Sequence, residues 1–99
     1  MGNKYLDQLK TLVLDQMKDE SVKVLLFGSR ARGDHHQGSD VDLGLIPSKS
    51  LSSSRVSFLK EIIENSCIPY KVDVVDLRDV SKEFYEQALK DAVVWKNWN

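Results

Sequence analysis

Asp40 and Asp42, one residue apart in Ser39-Asp40-Val41-Asp42-Leu43, could share hard cations if they lie on a strand. Side chains alternate along a strand, so both carboxylates would point to one face with Cα atoms about 6.5–7 Å apart. Mg²⁺ takes oxygen ligands and keeps room for water and substrate phosphates. Two such ions about 3.5–4 Å apart clamp the attacking and leaving oxygens of an in-line displacement. By itself an Asp-x-Asp more often marks a solvated strand edge or a turn, so the surroundings decide. Upstream, Phe27-Gly28-Ser29-Arg30-Ala31-Arg32-Gly33 sets a Gly-Ser turn at the end of an apolar run. Gly28 lets a phosphate approach the backbone, and the amides after it can donate to phosphate oxygens as a short helix begins. Ser29 adds a hydroxyl donor. Neither Gly-x4-Gly-Lys-Ser/Thr nor Gly-x-Gly-x-x-Gly occurs, so this is no Walker A loop and no dinucleotide fingerprint. Arg30 and Arg32 diverge on a helical turn, so at most one faces a triphosphate. Arg30 joins Gly28 and Ser29 as a nucleotide-binding candidate.

A third carboxylate is available. Asp73 lies inside the apolar run Val72-Asp73-Val74-Val75, where an unpaired charge is costly and a metal beside it removes the cost. Asp76, at the exit of the same run, suits a turn or cap. His35 and His36 sit in a polar loop without a third ligand in sight. Cys67 is the single cysteine, which leaves no intrachain disulfide and no thiolate zinc site; it is expected to pack as a small apolar residue.

The elements that must position these groups can be read from periodicity. Leu6, Leu9, Val13 and Met17 recur at spacings of three and four, predicting a helix over about 4–18. Val22 to Phe27 and Val41 to Ile46 are β-branched and aromatic runs, closed by Gly28 and by Pro47, and read as strands. The serine-rich stretch 48–54 supplies a helix N-cap, with Val56, Leu59, Ile62 and Ile63 following at helical spacing to about Asn65. A third strand runs from Lys71 to Leu77. Ser81 opens a last helix to about Asp91, with a further helical turn expected through Trp95. Trp95 and Trp98 suggest either core closure or a contact surface, with the balance towards partner contact.

If the second strand returns antiparallel to the first, its start lies beside Gly28 and Ser29. The helix over about 52–65 is long enough for a crossover, so the third strand can lie parallel to the second. Asp73 then falls level with Asp40 and Asp42, and three carboxylates converge. The fold class is α/β of the α+β kind: a small mixed sheet of three or slightly more strands, flanked by helices.

At 99 residues the chain is expected to be a single domain, 1–99. Hydrophobic and charged fractions of 41% and 29% are ordinary for a globular protein. A formal net charge of -1 argues against a nucleic-acid coat or an anionic-membrane binder. No apolar run approaches the roughly 18–20 residues of a membrane span, and Met1 to Tyr5 leads into an amphipathic pattern, not a signal peptide. A cytoplasmic protein is expected. So small a domain has little surface to enclose a substrate, so a partner chain is expected to complete the site.

Gly28-Ser29, ten intervening residues, Asp40-Val41-Asp42 and a later Asp73 together resemble the DNA polymerase β-type nucleotidyltransferase superfamily. The fuller string, Phe27 to Gly33 with Ser39 to Leu43, resembles its smallest branch, the minimal nucleotidyltransferases (MNT), and the resemblance spans about residues 5 to 95. That resemblance implies Mg²⁺-dependent transfer of a nucleoside monophosphate, usually AMP from ATP, to a hydroxyl with release of pyrophosphate. Carried over by position, Gly28 and Ser29 bind the triphosphate, Asp40 and Asp42 hold both metal ions, and Asp73 holds the catalytic one and helps deprotonate the acceptor. Minimal nucleotidyltransferases commonly pair with a small helical HEPN protein, a ribonuclease toxin whose tyrosine they adenylylate as antitoxin. The resemblance therefore implies ATP and a HEPN-type toxin as partners. A homodimer in isolation is compatible with this. The alternatives are an antitoxin that neutralises by occlusion without catalysis, and a small-molecule nucleotidyltransferase.

Overall fold

The computed structural model describes residues 4–28, 31, 40–48 and 51–98. In chain order the elements are α1 (Lys4–Met17), β1 (Val22–Phe27), β2 (Val41–Pro47), α2 (Ser53–Glu64), β3 (Val72–Asp76), α3 (Lys82–Lys90) and β4 (Val93–Lys96). Each helix forms on an apolar stripe, and α2 and α3 open on a capping serine. Leu9, Val13 and Met17 are the buried line of α1. Ser52 caps α2, its hydroxyl accepting from the Arg55 amide at 3.2 Å, and Val56, Leu59 and Ile63 face inward. Ser81 caps α3 in the same way, accepting from the Phe84 amide at 3.1 Å. A side-chain oxygen at this position satisfies one of the donors that a helix start leaves unpaired.

The strands form one mixed sheet in the order β3-β2-β1-β4. β2 runs antiparallel to β1 and parallel to β3, as the hairpin and crossover reading requires. One expectation fails. The segment through Trp95 is not a further helical turn but strand β4, antiparallel to β1, so the sheet has four strands. β-branched Val93 and Val94 favour extended backbone, and the open edge of β1 offers them hydrogen bonds that a frayed helix end would lack. Lys96 anchors the strand, its Nζ donating to the Glu20 and Val22 carbonyls at 3.0 and 3.3 Å.

Alternation divides the core. Val22, Val24, Leu26, Val41, Leu43, Leu45 and Val74 point to the face covered by α1 and α2. Leu25 and Phe27 point to the other face, where Leu77 and Ala88 meet them and Ile46, Val75, Tyr85 and Leu89 pack around. Gly44 lies on that second face; a Cβ there would stand 2.7 Å from Leu77 Cδ1 and 3.0 Å from Leu25 Cδ1. A side chain at Gly44 would require the Leu77 and Leu25 methyls to shift. Trp98 remains exposed while its indole N–H donates to the Ile46 carbonyl at 2.7 Å and the Lys23 ammonium sits 5.4 Å from its ring centroid. Cys67 is exposed and does not pack as expected. Among the described residues no helix is long and apolar enough to cross a membrane.

Candidate active site

The pairing of β1 with β2 sets Asp42 opposite Phe27, at the last residue of β1. The pairing of β2 with β3 sets Asp42 beside Asp73. Neighbouring strands lie about 4.8 Å apart, and residues in register point to the same face. The two carboxylates therefore share the face that carries Phe27. Val41, Leu43 and Leu45 turn the other way into the larger core. This is the arrangement that the crossover argument expected for Asp42 and Asp73.

Gly28 follows at the end of β1 with φ of +78°, a left-handed conformation that a side chain would strain. A Cβ built on it would overlap the Asp42 carboxylate oxygen Oδ2 and stand 3.3 Å from Asp42 Cγ. The glycine is thus required twice, for its backbone angle and for the room that the carboxylate occupies. The Ala31 amide donates to the Gly28 carbonyl at 3.1 Å. Ala31 packs its side chain against the larger core. Ser29, Arg30, Arg32, His35 and His36 lie outside the described residues.

Asp40 is exposed and directly precedes β2. Among the described residues, no three His, Cys, Asp or Glu side chains close into a metal-holding group. Asp42 and Asp73 are neighbours in register, and Asp73, which the sequence set inside an apolar run, is exposed like Asp40. Like charges at one strand end repel, which opposes closure until a cation compensates them. The donor chemistry fits a hard divalent ion: carboxylate oxygens, a glycine whose missing Cβ is the space they fill, and an open approach.

Asp76 is excluded from this cluster. It pairs in register with Leu45 and so belongs to the opposite face. Its Oδ1 accepts from the Arg78 amide at 3.0 Å, a turn contact, and from Arg78 Nε at 3.0 Å. The hydrogen bonds from the Arg78 side chain, with its charge and backbone amide adding, hold the Asp76 carboxyl below its ordinary value of 3.8 against an opposing effect of burial. Arg78 also donates to the Leu51 carbonyl at 3.1 Å, tying the turn after β3 to the entrance of α2.

One feature of the site escaped the sequence. α3 lands on the end of β1, and Phe84 meets Phe27 edge to face, with ring centroids 5.9 Å apart at 84°. Phe27, Gly28, Phe84, Gln87 and Ala88 line an open cavity of about 170 Å³. The available signal was the i, i+3 spacing of Phe84 and Gln87 on an amphipathic helix, but nothing in the chain said where that helix docks.

A left-handed glycine against a strand aspartate, with a second aspartate in register from a parallel neighbour, defines a class when set on this mixed sheet. The chain belongs to the family described as "Polymerase beta, Nucleotidyltransferase", which matches residues 9–97. Among individual proteins it is similar to one from Haemophilus influenzae (strain ATCC 51907 / DSM 11121 / KW20 / Rd) named Probable protein adenylyltransferase MntA. The two are 34% identical over 86 residues, covering 87% of this chain and 74% of that protein. A solved minimal nucleotidyltransferase is 28% identical with a TM-score of 0.75, over 94% of this chain and 95% of its own. A chain from the complex of tri-AMPylated Shewanella oneidensis HEPN toxin with MNT antitoxin shares the fold. It is 19% identical with a TM-score of 0.66, over 92% of this chain and 71% of that one.

Proposed function

We propose that this chain is an ATP-dependent adenylyltransferase that moves AMP onto a hydroxyl, a tyrosine of a HEPN-type helical toxin, and so acts as an antitoxin. The observation that carries the reading is the Asp42–Asp73 register against Gly28, on a chain of the nucleotidyltransferase family. The name of the Haemophilus relative and the AMPylated toxin of the Shewanella complex support the acceptor. An ATP-consuming reaction and a lone exposed Cys67 fit a cytoplasmic setting.

In this reading Gly28, Ser29 and Arg30 hold the triphosphate, Asp40 and Asp42 hold two Mg²⁺ ions, and Asp73 holds the catalytic one of the two. When bound, the ions neutralise phosphate charge and act as Lewis acids on the transferring group. Asp73 accepts the proton of the acceptor hydroxyl. That oxygen forms a bond to the α-phosphorus as the bond from the α-phosphorus to the bridging oxygen breaks, and pyrophosphate leaves with the electron pair. Turn amides after Gly28 and the Ser29 hydroxyl stabilise charge on the departing phosphates. The test co-expresses a HEPN toxin with wild-type protein or with an Asp40→Asn/Asp42→Asn double variant. Loss of both protection and the added AMP mass on the toxin is expected. Undiminished protection by the variant would replace catalysis with occlusion.

A further inference from the structure

We infer that Phe84 and Gln87 of α3 form the seat of the nucleotide's base, selecting adenine; the inference rests on the adenylyltransferase reading of the same site. The cavity that these residues share with Phe27, Gly28 and Ala88 measures about 170 Å³. That is below the roughly 300 Å³ at which pockets for whole drug-sized ligands begin. It suits one planar ring system and not an entire nucleotide. Its position is the second argument. Gly28 belongs both to the wall of this cavity and to the contact with the Asp42 carboxylate, so a ring held here lies beside the carboxylate that the reading sets at the transferring phosphate, the one that carries the nucleoside.

The walls have the chemistry of a base site. Phe84 is 43% exposed although it is large and apolar. Phe27, itself 7% exposed, holds it edge to face, which fixes the ring and leaves its outer surface available for stacking. Gln87 lies one turn along the same helix face and is exposed. A glutamine amide carries a donor and an acceptor together, the pair that matches adenine N7 and N6 in a bidentate contact. Guanine presents two acceptors on the corresponding edge, so it can satisfy half of that pair. Ala88, buried at the floor, is small enough to leave the space open.

The experiment titrates the full chain, with Mg²⁺, against AMP-PNP, GMP-PNP and inorganic tripolyphosphate. Tripolyphosphate reports the turn without the base. Phe84→Ala should weaken AMP-PNP roughly ten-fold or more, the loss of one base–aromatic stack, and leave tripolyphosphate unchanged. Because Phe84 is half exposed the variant should fold, and Phe84→Leu, which keeps apolar volume without a π face, should lose a similar factor. Gln87→Ala should narrow the preference for AMP-PNP over GMP-PNP. Equal weakening of AMP-PNP and tripolyphosphate in Phe84→Ala would overturn the base seat, as would unchanged binding of both. Wild-type protein that binds tripolyphosphate as tightly as AMP-PNP would overturn it while sparing the phosphate turn. Wild-type protein that binds none of the three would remove the adenylyltransferase reading itself.

Discussion

The face of the sheet under α1 and α2 buries Val22, Val24, Leu26, Val41, Leu43 and Leu45 against Leu9, Val13, Met17, Val56, Leu59 and Ile63. The face under α3 gathers a smaller buried set, Leu25, Phe27, Leu77 and Ala88, with partly exposed neighbours. The same strands serve both. Because side chains alternate, β2 sends Val41, Leu43 and Leu45 into the first face and Asp42 and Gly44 to the second. One face secures the fold, and its stability lets the other carry charge and an open approach. On the proposed reading a single strand separates stability from chemistry, and substitutions at Leu43 and Asp42 should then have opposite consequences.

The largest effect is expected on the packed face. Leu43 is fully buried between α1, α2 and the neighbouring strands, and Leu43→Ala should cost about 2–5 kcal/mol in transfer and cavity energy. For a small domain of marginal stability, a urea melt should show a midpoint far below wild type, or no folded baseline. A near-wild-type melt would mean that this face is not the one that holds the molecule together.

A smaller effect is expected at Asp76, whose carboxylate belongs to the stabilising face despite lying three residues from Asp73. Its folded-state pKa is depressed below 3.8, so its contribution is fully present above about pH 4 and is lost as pH falls through the folded value. The pair with Arg78 is partly exposed, so solvent screening keeps its contribution small. Asp76→Asn should therefore lower stability slightly at pH 7 and flatten the fall in stability below pH 4, with AMP transfer unchanged. Chemical denaturation at pH 7 and pH 3 measures it. Transfer lost in Asp76→Asn would put that carboxylate in the site.

Much of this division was legible in the sequence. β1 and β2 are bounded by Gly28 and Pro47, and their β-branched runs left little choice of element. The Asp42–Asp73 register followed from a helical connection long enough to cross over, once the second strand was taken to return antiparallel to the first. β4 was not legible, because Val93 to Lys96 follows α3 with only Asp91 and Ala92 between. Local propensity could not weigh the free edge of β1, which is created by residues seventy positions earlier in the chain. The same limit hid the cavity beside Gly28. Its walls come from β1 and α3, and only the docking of that helix, set by Ala88 and Leu77 against Leu25 and Phe27, brings Phe84 there.

The central claim is that Asp42 serves chemistry and not the fold, and it is tested most directly by two readings on one preparation of Asp42→Asn. The substitution is nearly isosteric and removes the charge that the proposed reading assigns to the metal ions. Thermal unfolding should stay within about 1 kcal/mol of wild type. Transfer of labelled AMP from ATP to the HEPN partner should fall roughly 100-fold or more. Full transfer by a folded Asp42→Asn protein would contradict the account and move the site away from this face of the sheet.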